Sequence, residues 1–131
     1  MTAVLERLGS KHVLVVHGHD GSDELTLDGP GEVYELNAGD VNEYTVSSEE
    51  LGLGTALPAA IRGGTPEQNA RMVIDVLDGQ QGPTRDVVVL NAAAALIAID
   101  KAKDFPAGIA LAGEAIDSGE AKQRLTAFAA L

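Results

Sequence analysis

Cysteine and tryptophan are absent from this chain, and only two Phe and two Tyr stand among its 131 residues. Without cysteine there is no disulfide, no thiolate metal site and no cysteine nucleophile, and nothing points to an oxidising compartment. So few aromatic rings cannot build a surface on which nucleic-acid bases stack. Positive charge is scarce as well: nine Lys plus Arg face twenty Asp plus Glu, a formal net charge of −11. The resulting field repels phosphate backbones and anionic lipids, which excludes nucleic-acid and membrane-surface partners from the expected functions. An anionic ligand must then be held by a local basic cluster, by backbone amides or through a bridging metal ion. The longest apolar run, Val87 to Ile99, is interrupted by Asn91 and is too short to span a bilayer. The first residues, Met1 to Leu8, mix charge into a short amphipathic pattern in place of an apolar signal core. A cytoplasmic protein is expected.

The length suits a single domain over residues 1–131, large enough to bury roughly two thirds of its unfolded surface without covalent staples. Its most informative stretch is His17-Gly18-His19-Asp20-Gly21-Ser22-Asp23-Glu24, which follows the apolar run Val13-Leu14-Val15-Val16. That run reads as a buried parallel strand, and the loops beyond the carboxyl ends of such strands are where α/β sheets hold ligands. Three carboxylates crowded into Asp20 to Glu24 repel one another unless water or a cation relieves them. A divalent metal is one guest; a solvated Asp-Gly, Gly-Ser turn is the other explanation. Asp23 and Glu24 are the better metal candidates, because Mg²⁺ takes hard oxygen ligands and is often held by one or two carboxylates, waters and substrate phosphates. Asp20 either shares the site or sets the turn. His17 and His19 alternate, so they face opposite ways and do not suit a shared metal.

Along the chain, Val4 to Leu8 reads as the end of a helix closed near Gly9, leading into a strand over His12 to Val16. Leu25-Thr26-Leu27, Val33 to Leu36 and Val41 to Val46, separated by Gly29-Pro30-Gly31 and Asn37-Ala38-Gly39-Asp40, form a small antiparallel meander. The second half turns helical. Thr65, Pro66 and Gln68 make a capping box for a helix with Ala70, Val73, Ile74 and Leu77 on its apolar face, stopped by Gly79. From Pro83 through Leu96 a second helix is buried nearly all round, although its Val87-Val88-Val89 run also suits a strand start. Asp104 and Pro106 open a third with Ile109, Ala112 and Ile116, and Ser118-Gly119 divides it from a last helix with Leu125, Phe128 and Ala129. The fold class is therefore α/β: partial parallel sheet with a small antiparallel meander, then a mostly helical half.

No Walker-type loop, G-x-G-x-x-G run, G-x-S-x-G elbow or H-E-x-x-H helix is present. Gly63-Gly64 and Gly79 with Gly82 adjoin helix starts, where capping and close packing explain them as well as anion binding does. Glu49-Glu50, Asp75, Asp78 and Asp117 suit solvated faces or caps. Asn69 and Asn91 lie within helical segments, where a buried amide needs partners, and hydrogen bonds to nearby loops are expected.

Taken together, Leu5 to Gly18, Asp20-Gly21-Ser22-Asp23-Glu24, Gly63-Gly64 with Asn69-Ala70, Leu77-Asp78-Gly79, Gly82-Pro83-Thr84-Arg85-Asp86, Leu90 to Leu96 and Ile116 to Gly119 resemble the carboxyl-terminal part of the anthranilate phosphoribosyltransferase family. The set is specific although each piece is weak. The resemblance implies a phosphoribosyltransferase-like catalytic domain, akin in fold to the nucleoside phosphorylases, that moves phosphoribosyl from phosphoribosyl pyrophosphate to anthranilate in tryptophan biosynthesis with Mg²⁺ at the pyrophosphate. It places the metal ligands on Asp23 and Glu24, and assigns no catalytic nucleophile. Ser22 stands where the family has leucine, a change expected to loosen the loop.

Family members are more than twice as long, and their glycine-rich pyrophosphate loop, amino-terminal helical domain, Lys-His-Gly-Asn segment and anthranilate-contacting arginine do not occur here. The expectation is an excised or split portion, inactive alone. A non-catalytic folding or interaction module, and a piece of a pyrimidine-nucleoside phosphorylase, are the other readings. The missing neighbour of the first strand also predicts self-association through an open sheet edge, unless the Gly52 to Ile61 segment covers it.

Overall fold

In the computed structural model, which describes residues 1–131, helix α1 spans Thr2–Arg7 and strand β1 spans His12–His17. Strands β2, Gly31–Asn37, and β3, Asp40–Val46, complete a three-stranded sheet of order β1-β2-β3. The α/β class and the meander stand, with two corrections. The strand expected to be parallel pairs antiparallel with β2, His12 opposite Asn37 and His17 opposite Glu32. Nor is it buried: His12 to Val16 are half-covered and His17 is exposed, since an apolar run says neither how fully its faces are covered nor in which direction its neighbour runs. Leu14 and Val16 pack on the main core, and α1 packs against β1 and β2.

The second correction concerns Leu25-Thr26-Leu27, which forms an extended crossing loop and no strand. Leu25 and Leu27 are 1% and 2% exposed because they plug the core. Their backbone groups bond to the Asn91 side chain and to the Ala56 amide.

Four helices follow a short 3-10 turn at Pro58–Ile61: α2, Pro66–Leu77; α3, Pro83–Ala98; α4, Phe105–Asp117; and α5, Glu120–Ala129. The capping box forms as expected, with the Gln68 amide donating to Thr65 Oγ1 and the Thr65 amide to Gln68 Oε1. The α2 face is covered only in part. Val76 is its buried residue, whereas Ala70 and Val73 are exposed, since only part of the helix is packed against its neighbours. Helix α3 is the spine. Val87, Leu90, Ala93, Ala94 and Ile97 meet Leu25, Leu27 and Val33 on one side, and Val89 joins Val76, Ala112 and Ile116 on the other. Burial on two sides stabilises the valine run as helix, against its β-branched preference. At the α3–α4 crossing a Cβ on Gly108 would lie 2.8 Å from the Ala93 Cα, so the two backbones are in contact there. Helix α5 buries nothing, and Phe128, expected on its packed face, is exposed.

Strand β1 has β2 as its neighbour on one side and an open edge on the other. The Gly52 to Ile61 segment does not cover that edge; its Ala56 amide bonds to the Leu27 carbonyl instead. No helix is long and apolar enough to cross a membrane.

Candidate metal site beyond the first strand

Strand β1 runs straight into the loop that carries the acidic residues, and close backbone contacts set the loop's shape. Gly18 is buried, and a Cβ there would sit 2.6 Å from the Glu24 carbonyl oxygen and 3.0 Å from Thr26 Cγ2. Glycine is required for the chain to fold back on its own strand end. The Gly18 amide donates to the Ser22 carbonyl at 3.0 Å and the Gly21 amide to the Gly18 carbonyl at 3.0 Å. Asp20 sets the turn, its Oδ1 accepting from the Ser22 amide at 3.0 Å. Hydrogen bonds from the Ser22 hydroxyl and amide hold the Asp20 carboxyl below its usual range.

Asp23 and Glu24 come next, both exposed and neither paired with a lysine or arginine. No group of three or more His, Cys, Asp or Glu side chains is placed to hold a metal by itself. Two neighbouring hard carboxylates without a third protein ligand do not make a closed cation cage. They do fit Mg²⁺ held in part by water and by the oxygens of a phosphorylated substrate. His17 is exposed at the end of β1, and the His19 ring lies against Gly29, where a Cβ would come within 2.6 Å of it. Asn69 accepts from the Gly64 amide at 2.7 Å, the loop bond expected of it.

Two features escaped sequence reasoning. Arg85, on α3, is 7% exposed, and its Nη2 donates to Asp117 at 3.0 Å while Nη1 is buried without a partner. An arginine in the first turn of a helix whose later turns are mostly apolar was the available signal, and Asp117 is its counter-charge in place of a bare solvated acid. The second is a chain of polar groups across the sheet. His12 Nδ1 lies 2.8 Å from Asp100 Oδ1 and Nε2 lies 2.9 Å from Glu35 Oε1, while Tyr44 Oη donates to Glu35 Oε2 at 2.8 Å. Both partners of His12 are carboxylates that only accept, so both ring nitrogens must carry protons to satisfy them. The Tyr44 hydroxyl is pushed well above its usual range by burial and by its bond to Glu35.

Burial lowers the His12 pKa, but the hydrogen bonds and charges of Asp100 and Glu35 together outweigh it and leave the value raised. A group whose folded value is raised stabilises the fold fully below its unfolded pKa of about 6.5, and that contribution disappears as pH climbs through the folded value. Melting temperature is therefore expected to fall more steeply above that point in the wild type than in His12→Gln. Equal slopes in the two proteins would show that the pairing contributes nothing.

A family model described as "Glycosyl transferase family, a/b domain" matches residues 1–122. The chain belongs to that family. It is 50% identical over 125 residues to the anthranilate phosphoribosyltransferase of Symbiobacterium thermophilum, covering 95% of this chain and 37% of that protein. The Nitrosomonas europaea enzyme of the same name is 44% identical over 128 residues, covering 98% and 38%. Among solved structures, the Thermus thermophilus anthranilate phosphoribosyltransferase superposes with a TM-score of 0.88 at 42% identity, covering 98% of this chain and 38% of that one. The Saccharomyces cerevisiae enzyme in complex with PRPP and Mg gives 0.79 at 25% identity, covering 88% and 33%. The chain thus spans about 37% of the length of the relatives it matches.

Proposed function

We propose that this glycosyl transferase family chain is the metal-bearing portion of an anthranilate phosphoribosyltransferase, and that Asp23 and Glu24 hold Mg²⁺ against the pyrophosphate of phosphoribosyl pyrophosphate. The observation that carries the reading is the exposed, unpaired Asp23–Glu24 dyad on a loop braced by Gly18 and Asp20, in a chain whose relatives bear that enzyme's name. The S. cerevisiae structure with PRPP and Mg adds support. Bound Mg²⁺ would neutralise charge on the departing pyrophosphate. The chain's own residues position: the loop presents two carboxylates, β1 and α3 hold the loop, and no side chain here needs to act as nucleophile, since positive charge developing on the sugar calls for charge stabilisation. A net charge of −11 makes the metal bridge the means by which such a surface accepts a polyanion.

The test is calorimetric titration of the chain with phosphoribosyl pyrophosphate, with and without Mg²⁺. Saturable heat that requires the metal is expected; its absence overturns the reading. The isolated chain is expected to form no phosphoribosyl anthranilate, and turnover that Asp23→Ala abolishes would contradict that expectation.

Cytoplasmic placement belongs to the same proposal, supported by the absence of cysteine. So does self-association through β1. Its edge reads His-Val-Leu-Val-Val-His with no lysine, proline or bulge to discourage pairing. Light scattering is expected to find dimers or larger species that Val15→Lys returns to monomer. A wild type that stays monomeric at high concentration would rule this out.

A further inference from the structure

Among the polar groups with no part in the chemistry proposed above, Asn91 reaches furthest into the architecture. It stands on α3 in the middle of the chain's longest apolar run, and its side chain makes three hydrogen bonds. Oδ1 accepts from the Leu25 amide at 2.9 Å, and Nδ2 donates to the Leu25 carbonyl at 2.8 Å and to the Val87 carbonyl at 3.0 Å. The carboxamide grips residue 25 through both its amide and its carbonyl, as a neighbouring strand would grip it. Leu25 directly follows Glu24, and its own side chain is 1% exposed in the core.

The acidic loop is otherwise held by bonds within itself, between Gly18, Asp20, Gly21 and Ser22. Like charges on Asp23 and Glu24 push that loop open. Closure is imposed from the far side, where the Glu24 carbonyl lies over Gly18 while the N–H of that same peptide group and the Leu25 carbonyl after it are fixed to α3.

We propose that Asn91 is a positioning residue for the Asp23–Glu24 pair: by fixing the backbone of Leu25 to α3, it sets the direction in which the two carboxylates meet a metal–pyrophosphate ligand. This rests on the metal reading of the loop given above. A carboxamide suits the task because it supplies an acceptor and a donor at once. Aspartate offers no donor and sets a charge against the Leu25 carbonyl, and alanine leaves the amide and carbonyl of Leu25 without partners.

The experiment titrates Mn²⁺ with inorganic pyrophosphate into the wild type, Asn91→Ala, Asn91→Asp, the Asp23→Asn, Glu24→Gln double variant, and Val89→Ala. Binding is read by the electron spin resonance of Mn²⁺, and hydrogen exchange at the Leu25 amide is read in the same samples. Val89 is 3% exposed and packs in the second core cluster, so its truncation loosens α3 without touching the loop. Both Asn91 variants are expected to weaken binding by about 10–100-fold, the range for outer partners of metal ligands, and to lose protection at Leu25. Val89→Ala is expected to lower the melting temperature and do neither. Binding by Asn91→Asp equal to the wild type, alongside loss in the double variant, overturns the role of Asn91 and leaves the metal reading intact. Equal loss in Val89→Ala reduces Asn91 to a packing role and overturns it too. Equal binding by the wild type and the double variant overturns the metal reading, and this proposal falls with it.

Discussion

Changing Asp23 to Asn and Glu24 to Gln together is expected to remove the Mg²⁺-dependent heat of phosphoribosyl pyrophosphate binding. Contacts to charged groups contribute about 1.5–3 kcal/mol each, so losing both weakens the complex by on the order of 100-fold or more. The fold should not respond. Both residues are exposed and unpaired, and both replacements keep the side chain's shape, so stability is expected to stay within about 0.5 kcal/mol of the wild type. Relief of repulsion between neighbouring carboxylates pushes it slightly upward. A loss of heat with an unchanged urea midpoint therefore separates ligation from folding. Heat in the double variant that still depends on Mg²⁺ would move the metal elsewhere on the chain.

The second large effect is in the core. Leu90 is 1% exposed on α3 and shares a cluster with Leu25, Leu27 and Val33. Leu90→Ala is expected to cost about 3–5 kcal/mol, the transfer of the lost carbons plus the cavity they leave. Small domains hold only about 5–15 kcal/mol in total, so this variant is expected to be partly unfolded in urea where the wild type is intact. Leu90→Met, which conserves volume, is expected to cost less than about 1.5 kcal/mol. Leu25 packs in the same cluster as Leu90, so a cavity there also loosens the anchor behind Glu24. A Leu90→Ala midpoint close to that of Leu90→Met would mean that α3 and the sheet collapse onto the vacated space.

Much of the second half was legible residue by residue. Thr65, Pro66 and Gln68 announce α2, Asp104 caps α4 by accepting from the Ala107 amide at 2.9 Å, and Ile116 sits in a core as its spacing required. These signals are local, because a cap and its first turn lie within a few residues of each other. The acidic loop was legible as a candidate for the same reason: the carboxylates adjoin in sequence, so no fold is needed to bring them together. That Asn91 bonds to a loop was legible from a lone amide in a helical segment, and the structure bears it out; which loop it holds was not legible. Leu25 and Asn91 are 66 residues apart, as the hydrogen bonds between them record, and neither residue type announces the other.

The exposed parts of α2 and α5 show the opposite failure. Val73 and Phe128 have the spacing of buried residues, yet they face solvent. Periodicity tells which residues share a face, and only a neighbouring element decides whether that face is covered.

The sequence by itself determined the helix starts, the acidic dyad, the absence of thiol chemistry and the resemblance to a phosphoribosyltransferase family, because each is written in adjacent residues or in composition. Tertiary structure alone decided that β1 runs antiparallel to β2, that Leu25 to Leu27 plugs a core in place of forming a strand, and that His12 bridges Asp100 and Glu35. It also decided that the loop Asn91 bonds to is the one at Leu25, directly after the acidic pair. Strand direction and long-range pairing depend on where the chain returns in space. An apolar run or a lone amide is equally content with several neighbours, and only packing of the whole chain selects one.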